Sequence, residues 1–470
     1  MTKKQTMIID FFRNKKILIL GCQHEGLSTY LFLRTLFPKK KFFLADKKIV
    51  TQINQTFQNI IQQDRNIGFN FGINYLDDVL SFDLIIKTPG ISIKIVELQK
   101  AVKNKTVITS NTQIFFDFFA GKIIGITGTK GKSTTTSLIF HLLKDNQLPA
   151  ILIGNIGIPP LSQIKKTNKK TIAVIELSCH QLNDLKSSPH IAVVQNITSE
   201  HLDYYLNTDE YIKAKSQIAR FQKQKDFYIY NDNYVNPTKL AKLSKANKII
   251  YNFDYKTDST CFIKNNDIYY KNNYQKEKII EQKHLKLKGR HNLNNVMASI
   301  IVAKLFNLTN KQIEQSLSNF NPLPHRLEFV TKIKGVSYYN DSLATMPDAT
   351  IAALKFFYKK NIILIAGGHE RHQNFIPLAK QILKQNVKVL LLFQPTGQRL
   401  CENLKQINPK HKIKLFFPLS MKKTIQIANQ QANIGDIVLL SPASASFGIF
   451  KNYQDRGNQF KQIIFKLLLK

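Results

Sequence analysis

Cysteine is sparse: Cys22, Cys179, Cys261 and Cys401 stand far apart in 470 residues, with no CxxC pair. That excludes a disulfide framework and a zinc ribbon, and it fits reduced thiols in a cytosol. Arginine is scarce too, nine of the 68 basic residues, and acidic residues number only 31, which leaves a formal charge of +37. Such an excess ordinarily suggests nucleic acid or an anionic membrane. Here the lysines are scattered among Asn and Ile along the whole chain, and arginine, the bidentate reader of phosphates and bases, is the residue in short supply. No nucleic-acid partner is therefore expected. No membrane partner is expected either, since no apolar run approaches the ~18 residues of a span. The run Ile17–Leu20 is too short for a signal-peptide core and leads directly into a glycine turn. A cytoplasmic, monomeric protein is expected.

What is present describes a globular chain. Hydrophobic residues are 43% and charged residues 21%, and the length suggests about three domains. Short apolar runs ending in Gly or polar loops, each followed by a helical pattern, recur at 16–21, 122–127, 171–177, 191–196, 361–367, 387–393 and 436–440. This alternation predicts an α/β fold of parallel sheets covered by helices. A polar connection near 109–121 and the proline-stiffened Asn321-Pro-Leu-Pro324 divide the chain into 1–115, 116–322 and 323–470. The polar, aromatic stretch 228–288 predicts short strands and loops appended to the middle domain.

Gly125-Ile-Thr-Gly-Thr-Lys-Gly-Lys-Ser-Thr134 follows a predicted strand and opens a predicted helix, 133–143. Glycines let backbone N–H groups wrap phosphate oxygens, a lysine reaches the β/γ-phosphates and a hydroxyl takes magnesium. Gly128, Thr129, Lys130, Gly131, Lys132, Ser133 and Thr134 supply these parts, although the outer glycine lies one residue earlier than in the strict pattern. ATP and magnesium are the expected ligands.

Ligands of doubly wound sheets bind at the carboxyl ends of the strands. Glu176 ends one predicted strand, and His201 and Asp203 lie just beyond another, so they should converge with the phosphate loop on one crevice, where the Glu176 carboxylate and the His201 imidazole suggest magnesium ligands additional to Ser133. The segment 208–222 predicts a helix with Thr208 as N-cap. Its apolar stripe of Ile212, Ala219 and Gln222 includes Lys215 but not Lys213. A lysine on an inward face is costly unless it is paired or modified.

The ordered set Thr127-Gly-Thr-Lys-Gly-Lys-Ser-Thr134, Gly154-Asn-Ile-Gly157, Glu176-Leu-Ser-Cys-His-Gln181, Asn196-Ile-Thr-Ser-Glu-His201, Gly289-Arg-His-Asn292, Leu323-Pro-His-Arg326, Asn340-Asp-Ser342 and Ser441-Pro-Ala443 spans essentially the whole chain. It resembles the Mur ligases, the ATP-dependent amino-acid ligases that build the peptidoglycan stem peptide. Within them it most resembles the branch that adds glutamate to UDP-N-acetylmuramoyl-L-alanine.

The resemblance implies a Rossmann-like N-terminal domain for the UDP moiety, a central P-loop ATPase domain and a Rossmann-like C-terminal domain that closes over the nucleotide. Lys132 would hold ATP phosphates and Ser133 a first magnesium. Glu176 and His201 would hold a second, beside Lys215 as a carbamate. Asn292 and Asn295 would contact adenine, Arg326 the γ-phosphate and Asp341 the ribose. Asp46, Thr88, Pro89, Gly90 and Asn155 would contact the UDP-linked substrate.

Three departures from the family pattern stand out. Gln23 replaces a glycine in the first turn, Gly21-Cys-Gln-His-Glu-Gly26. Leu343 stands where the D-glutamate enzymes usually carry a lysine, and their Gly-Gly-Asp-Gly-Lys stretch reads Gly367-Gly-His-Glu-Arg371. Removing a cation from the glutamate pocket leans the expectation to L-glutamate over D-glutamate, with Arg371, Ser446 and Phe447 as contacts. D-glutamate with Arg371 compensating is the alternative, and a basic nucleic-acid-binding P-loop NTPase is a remote one.

Overall fold

The computed structural model describes residues 3–53, 55–198, 204–272, 275–287, 289–321, 324–370 and 373–468. They form two compact units, residues 1–320 and 321–470. The break falls at the start of the proline-stiffened segment.

The first unit carries two sheets. In one, β1 (Ile17–Leu20), β2 (Phe42–Asp46), β3 (Ile67–Phe71), β4 (Leu84–Lys87) and β5 (Val107–Ser110) lie in the order β3-β2-β1-β4-β5, all parallel. The central strand reads Ile-Leu-Ile-Leu with every side chain buried, as helices on both faces require. The other sheet comprises β6 (Lys122–Thr127), β7 (Ala150–Gly154), β8 (Ile172–Glu176), β9 (Ile191–Val194), β10 (Phe227–Tyr230), β11 (Asn247–Tyr251), β12 (Ser259–Lys264), β13 (Asp267–Asn272) and β14 (Gln275–Glu281). Its order is β14-β13-β12-β11-β10-β9-β6-β8-β7.

Strands β6 to β12 run parallel, and the stretch expected to hold short strands and loops extends the sheet as the antiparallel meander β12-β13-β14. One hydrophobic core runs unbroken from Phe12 and Ile19 beside the first sheet to Ala173, Val194 and Tyr228 in the second. The helix Lys132–Asp145 buries Leu138, Ile139, Leu142 and Leu143 against the second sheet, as the 3.6-residue spacing predicts. Each such side chain contributes about 1.5–3 kcal/mol.

The second unit has one sheet. Strands β15 (Glu328–Ile333), β16 (Val336–Asn340), β17 (Ile362–Gly367), β18 (Val387–Phe393), β19 (Lys414–Phe416) and β20 (Ile437–Leu440) lie in the order β15-β16-β20-β17-β18-β19. Only β15 is antiparallel, and separate cores cover the two faces. Among the described residues, no helix is long and apolar enough to cross a membrane.

Candidate active site

Strand β6 lies between β8 and β9, so its carboxyl end is flanked by theirs. The chain leaves β6 through Gly128 (φ +152°) and enters the helix Lys132–Asp145 through Gly131 (φ +86°). Both positions need glycine. A Cβ on Gly128 would lie 2.7 Å from that of Gln195, and one on Gly131 would lie 2.6 Å from Asn295 Oδ1.

Thr129 pins the loop from outside. Its N–H donates to the Asn196 carbonyl (2.8 Å), and its hydroxyl donates to the Thr198 carbonyl (3.0 Å) and lies 3.1 Å from that of Tyr211. Lys132 Nζ donates to the Gly128 and Thr129 carbonyls at 3.0 and 2.9 Å, which holds it over the loop. Ser133 and Thr134 follow in the first turn of the helix, and Lys130 is exposed. The N-terminal end of this helix, wrapped by a positive-φ loop, has the geometry that suits a phosphate group.

Glu176 ends β8 directly opposite Gly154 of β7 and Ile126 of β6. The residue is 1% exposed. Asn155 donates from its side chain to Glu176 Oε1 (2.8 Å) and from its backbone to the Glu176 carbonyl (3.1 Å). Oε2 is buried without a hydrogen-bond partner among the described residues. A buried carboxylate with one oriented and one open oxygen fits a divalent cation. No cluster of three or more His, Cys, Asp or Glu able to hold a metal occurs among the described residues. Magnesium ordinarily takes one or two carboxylates together with substrate phosphates and water, so Glu176 with Ser133 suits it. His201 and Asp203 lie outside the described residues.

The helix carrying Lys215 runs Thr208–Arg220. Its N-cap is Asn207, not Thr208: the Asn207 side chain accepts from the Glu210 N–H, because Asn207 is the last residue in an extended conformation. Lys213 is exposed and Lys215 is 1% exposed, as the stripe predicts. Lys215 Nζ donates to the Gly128 carbonyl (2.9 Å) and the Thr127 hydroxyl (3.3 Å) and lies 4.9 Å from the centre of the Tyr211 ring. It thus backs the phosphate loop. On the other side Asn295 joins the loop helix to the helix Arg290–Leu305, accepting from the Thr135 hydroxyl (3.0 Å) and donating to Asn292 Oδ1 (3.0 Å).

A cleft of about 360 Å³ opens between the two sheets of this unit. Lys132, Asn155 and Lys215 line it from the central sheet, and Glu25, Pro89 and Gly90 from the first. Thr88-Pro-Gly90 is a turn closed by the Ile91 N–H on the Thr88 carbonyl. Asp46 uses its carboxylate locally, accepting from the N–H groups of Cys22 (2.6 Å) and Lys48 (2.9 Å), and so ties the first glycine turn to the end of β2. The cleft wall is cross-braced by Gln181 donating to Glu25 (2.8 Å) and by the buried Lys87–Asp184 ion pair.

In the second unit, Arg326 stands between two non-glycine residues of positive φ, His325 (+66°) and Leu327 (+43°). Such strain persists where surrounding contacts over-determine it. The Leu343 N–H on the His325 carbonyl and the Leu327 N–H on Asp341 Oδ1 provide them. Asp341 also accepts from the Ser441 hydroxyl (2.7 Å), and burial pushes its carboxyl up to about 7. Arg456, fully buried, donates to the Ser342 hydroxyl and carbonyl and to the Ser444 carbonyl, locking two loops at the carboxyl ends of β16 and β20. Ser446 is buried, whereas Phe447 is half-exposed with its ring against His369. Arg371 lies outside the described residues.

Sequence reasoning missed Tyr211, Gln195, Gln181 and Glu25. Gln195 donates to the Thr135 hydroxyl (3.0 Å) and packs under Gly128. The signal for Gln181 and Glu25 was present, since both lie within quoted motifs. Their pairing joins positions 156 residues apart, which spacing cannot reveal.

Residues 126–303 match the Mur ligase middle domain, and residues 325–444 the glutamate ligase domain of the Mur ligases. The chain is 33% identical over 456 residues to the UDP-N-acetylmuramoylalanine–D-glutamate ligase of Clostridium tetani, covering 97% of each chain. It is 35% identical to the protein of the same name from Clostridium acetobutylicum, again with 97% of each chain covered. Among solved structures, UDP-N-acetylmuramate-alanine ligase from Thermotoga maritima superposes with a TM-score of 0.59 at 17% identity, covering 97% of this chain and 100% of that one. The MurF ligase of the same organism in complex with ADP gives a TM-score of 0.58 at 16% identity, covering 99% of this chain and 100% of that one. These two show the shared multi-domain α/β fold. With the two matching domains and identity of 33% and 35% to those relatives over 97% of its length, the chain belongs to the Mur ligase family.

Proposed function

We propose that this chain is an ATP-dependent ligase that adds glutamate to UDP-N-acetylmuramoyl-L-alanine, releasing ADP and phosphate, in peptidoglycan precursor synthesis. Identity above 30% over 97% of both chains to relatives of that name carries the reading. Those names specify D-glutamate, and we adopt it. The lean to L-glutamate drawn from Leu343 finds no support among them.

The substrate carboxylate attacks the γ-phosphorus of ATP to give an acyl phosphate, and the glutamate amine then displaces phosphate to form the amide. Lys132 neutralises charge accumulating on the transferred group, and Arg326 serves the γ-phosphate. Magnesium, held by Ser133, Glu176 and His201, would supply Lewis-acid stabilisation of the same oxygens. Lys215 takes a carbamate in this reading, which converts a buried cation into an anion able to meet the metal.

Asn292 and Asn295 hold adenine, and Asp341 the ribose. Asp46, Thr88, Pro89, Gly90 and Asn155 serve the UDP-linked substrate, and Arg371, Ser446 and Phe447 the glutamate. The three functional regions are 1–115, 116–322 and 323–470. We place the monomeric protein in the cytoplasm, where its ATP is available.

Phosphate release with UDP-N-acetylmuramoyl-L-alanine and ATP, comparing D- and L-glutamate, tests this. Turnover with D-glutamate is expected. Turnover with L-glutamate alone would restore the Leu343 argument, and turnover with neither would overturn the function.

A further inference from the structure

The cleft contains an ionisable group to which the proposed reaction gives no role. Glu25 lies in the first turn of the helix His24–Leu36, immediately after β1. Its Oε1 accepts from Gln181, while Oε2 is buried without a hydrogen-bond partner among the described residues. On the same turn Gln23, the N-cap residue, has a buried Nε2 that also lacks one. Two open polar atoms at the carboxyl end of a central parallel strand are expensive to bury unless a ligand completes them.

The charges around Glu25 come from several elements. Lys87 at the end of β4 attracts it, but is committed to Asp184 and the Ile91 carbonyl (2.8 Å). His180, from the segment Cys179–Asn183, lines the same cleft. Lys132 and Lys215 lie across the cleft, each donating to the Gly128 carbonyl. Asp46 is held at the Cys22 N–H, and Asn111, from Asn111–Phe118, offers only a neutral amide to the Glu25 carbonyl. Burial outweighs the opposing influence of Gln181 and Lys87 and raises the Glu25 carboxyl above its ordinary range.

An ionised carboxylate at this helix start would repel an anionic ligand, whereas a carboxylic acid would donate to it. We propose that Glu25 binds the UDP-linked substrate as the neutral acid, with Oε2–H donating to an anionic substrate oxygen of the diphosphate or of the alanine carboxylate. Glu25 is then a specificity-determining residue whose proton sets substrate affinity. The inference rests on the function proposed above.

The test is titration of the full chain with UDP-N-acetylmuramoyl-L-alanine across pH, using wild type, Glu25→Gln and Glu25→Ala. The diphosphate of this substrate is esterified at both ends and does not titrate near neutrality, and His180 is common to all three proteins. Wild-type Kd should rise about tenfold as the acid ionises with increasing pH, the scale of one hydrogen bond to a charged group. Glu25→Gln keeps a neutral donor and an acceptor for Gln181, so it should bind with little pH dependence. Glu25→Ala should bind about tenfold more weakly than wild type at low pH.

Repeating the series with UDP-N-acetylglucosamine assigns the acceptor: a retained pH response means the diphosphate, and a lost one means the alanine carboxylate. Wild-type affinity that ignores pH, or a Glu25→Gln profile parallel to wild type, overturns the inference alone. Wild type that binds the substrate at no pH overturns the proposed function.

Discussion

Asn155 Nδ2 donates to Glu176 Oε1 over 2.8 Å, leaving the second oxygen of that buried carboxylate open. The contact follows from strand register: β7 and β8 are parallel with Gly154 opposite Glu176, so the residue after Gly154 emerges beside the carboxylate. Glu176 thus has an orienting partner of the kind that tunes metal ligands. Asn155→Ala should lower turnover about 10–100-fold and raise the magnesium concentration needed for half-maximal phosphate release. An unchanged magnesium dependence would show that Asn155 does not act through Glu176.

Two glycines near the cleft should differ in their response to alanine. At Gly131 a methyl group meets Asn295 Oδ1 at 2.6 Å on a backbone of φ +86°, so Gly131→Ala should raise the KM for ATP and lower the melting temperature. At Gly90 an added Cβ meets nothing within 4 Å, and Gly90→Ala should melt with wild type. Thermal melts with and without ATP separate the two.

Lys215→Ala should lose about a hundredfold or more in turnover, the scale of losing charge stabilisation at a developing anion. If the lysine acts as a carbamate, short carboxylates such as acetate should restore part of the activity. Restoration by short amines instead would identify the free ammonium as the working group. Turnover against added acetate or ethylamine is the measurement.

Asp341 is an acid raised to about 7 in the folded chain, against an ordinary unfolded value near 4. Such a group stabilises the fold fully at pH below the unfolded value, and that contribution is lost as pH rises through the folded one. Asp341→Asn abolishes the dependence. The stability advantage of wild type over Asp341→Asn, read from urea unfolding, should therefore shrink between pH 5 and pH 8, by an amount on the order of a few kcal/mol. A constant difference would mean that Asp341 stays ionised throughout.

Local patterns made much of this readable. The strand–glycine–helix run at 122–145 was legible because its glycines answer to backbone geometry. The placement of Lys215 inside and Lys213 outside followed from helical period alone. The cap at Asn207 was misplaced by one residue, since neighbouring Asn and Thr can both cap and only backbone conformation chooses between them. Asn155 was legible as a motif residue, but its hold on Glu176 was not, because the register of β7 on β8 is a tertiary fact.

By itself the sequence determined the α/β alternation, the glycine positions of the phosphate loop and the inward lysine, because each depends on residues a few positions apart. Tertiary structure alone decided which oxygen of Glu176 stays open, that Gln181 reaches back to Glu25, and that Asp341 is buried enough to hold a proton near neutrality. Those outcomes depend on burial and on partners 100 or more residues distant for Glu25 and Asp341, and 21 for Glu176. Desolvation acts through what surrounds a group in space, and the order of residues along the chain does not specify that until strands have paired and helices have packed.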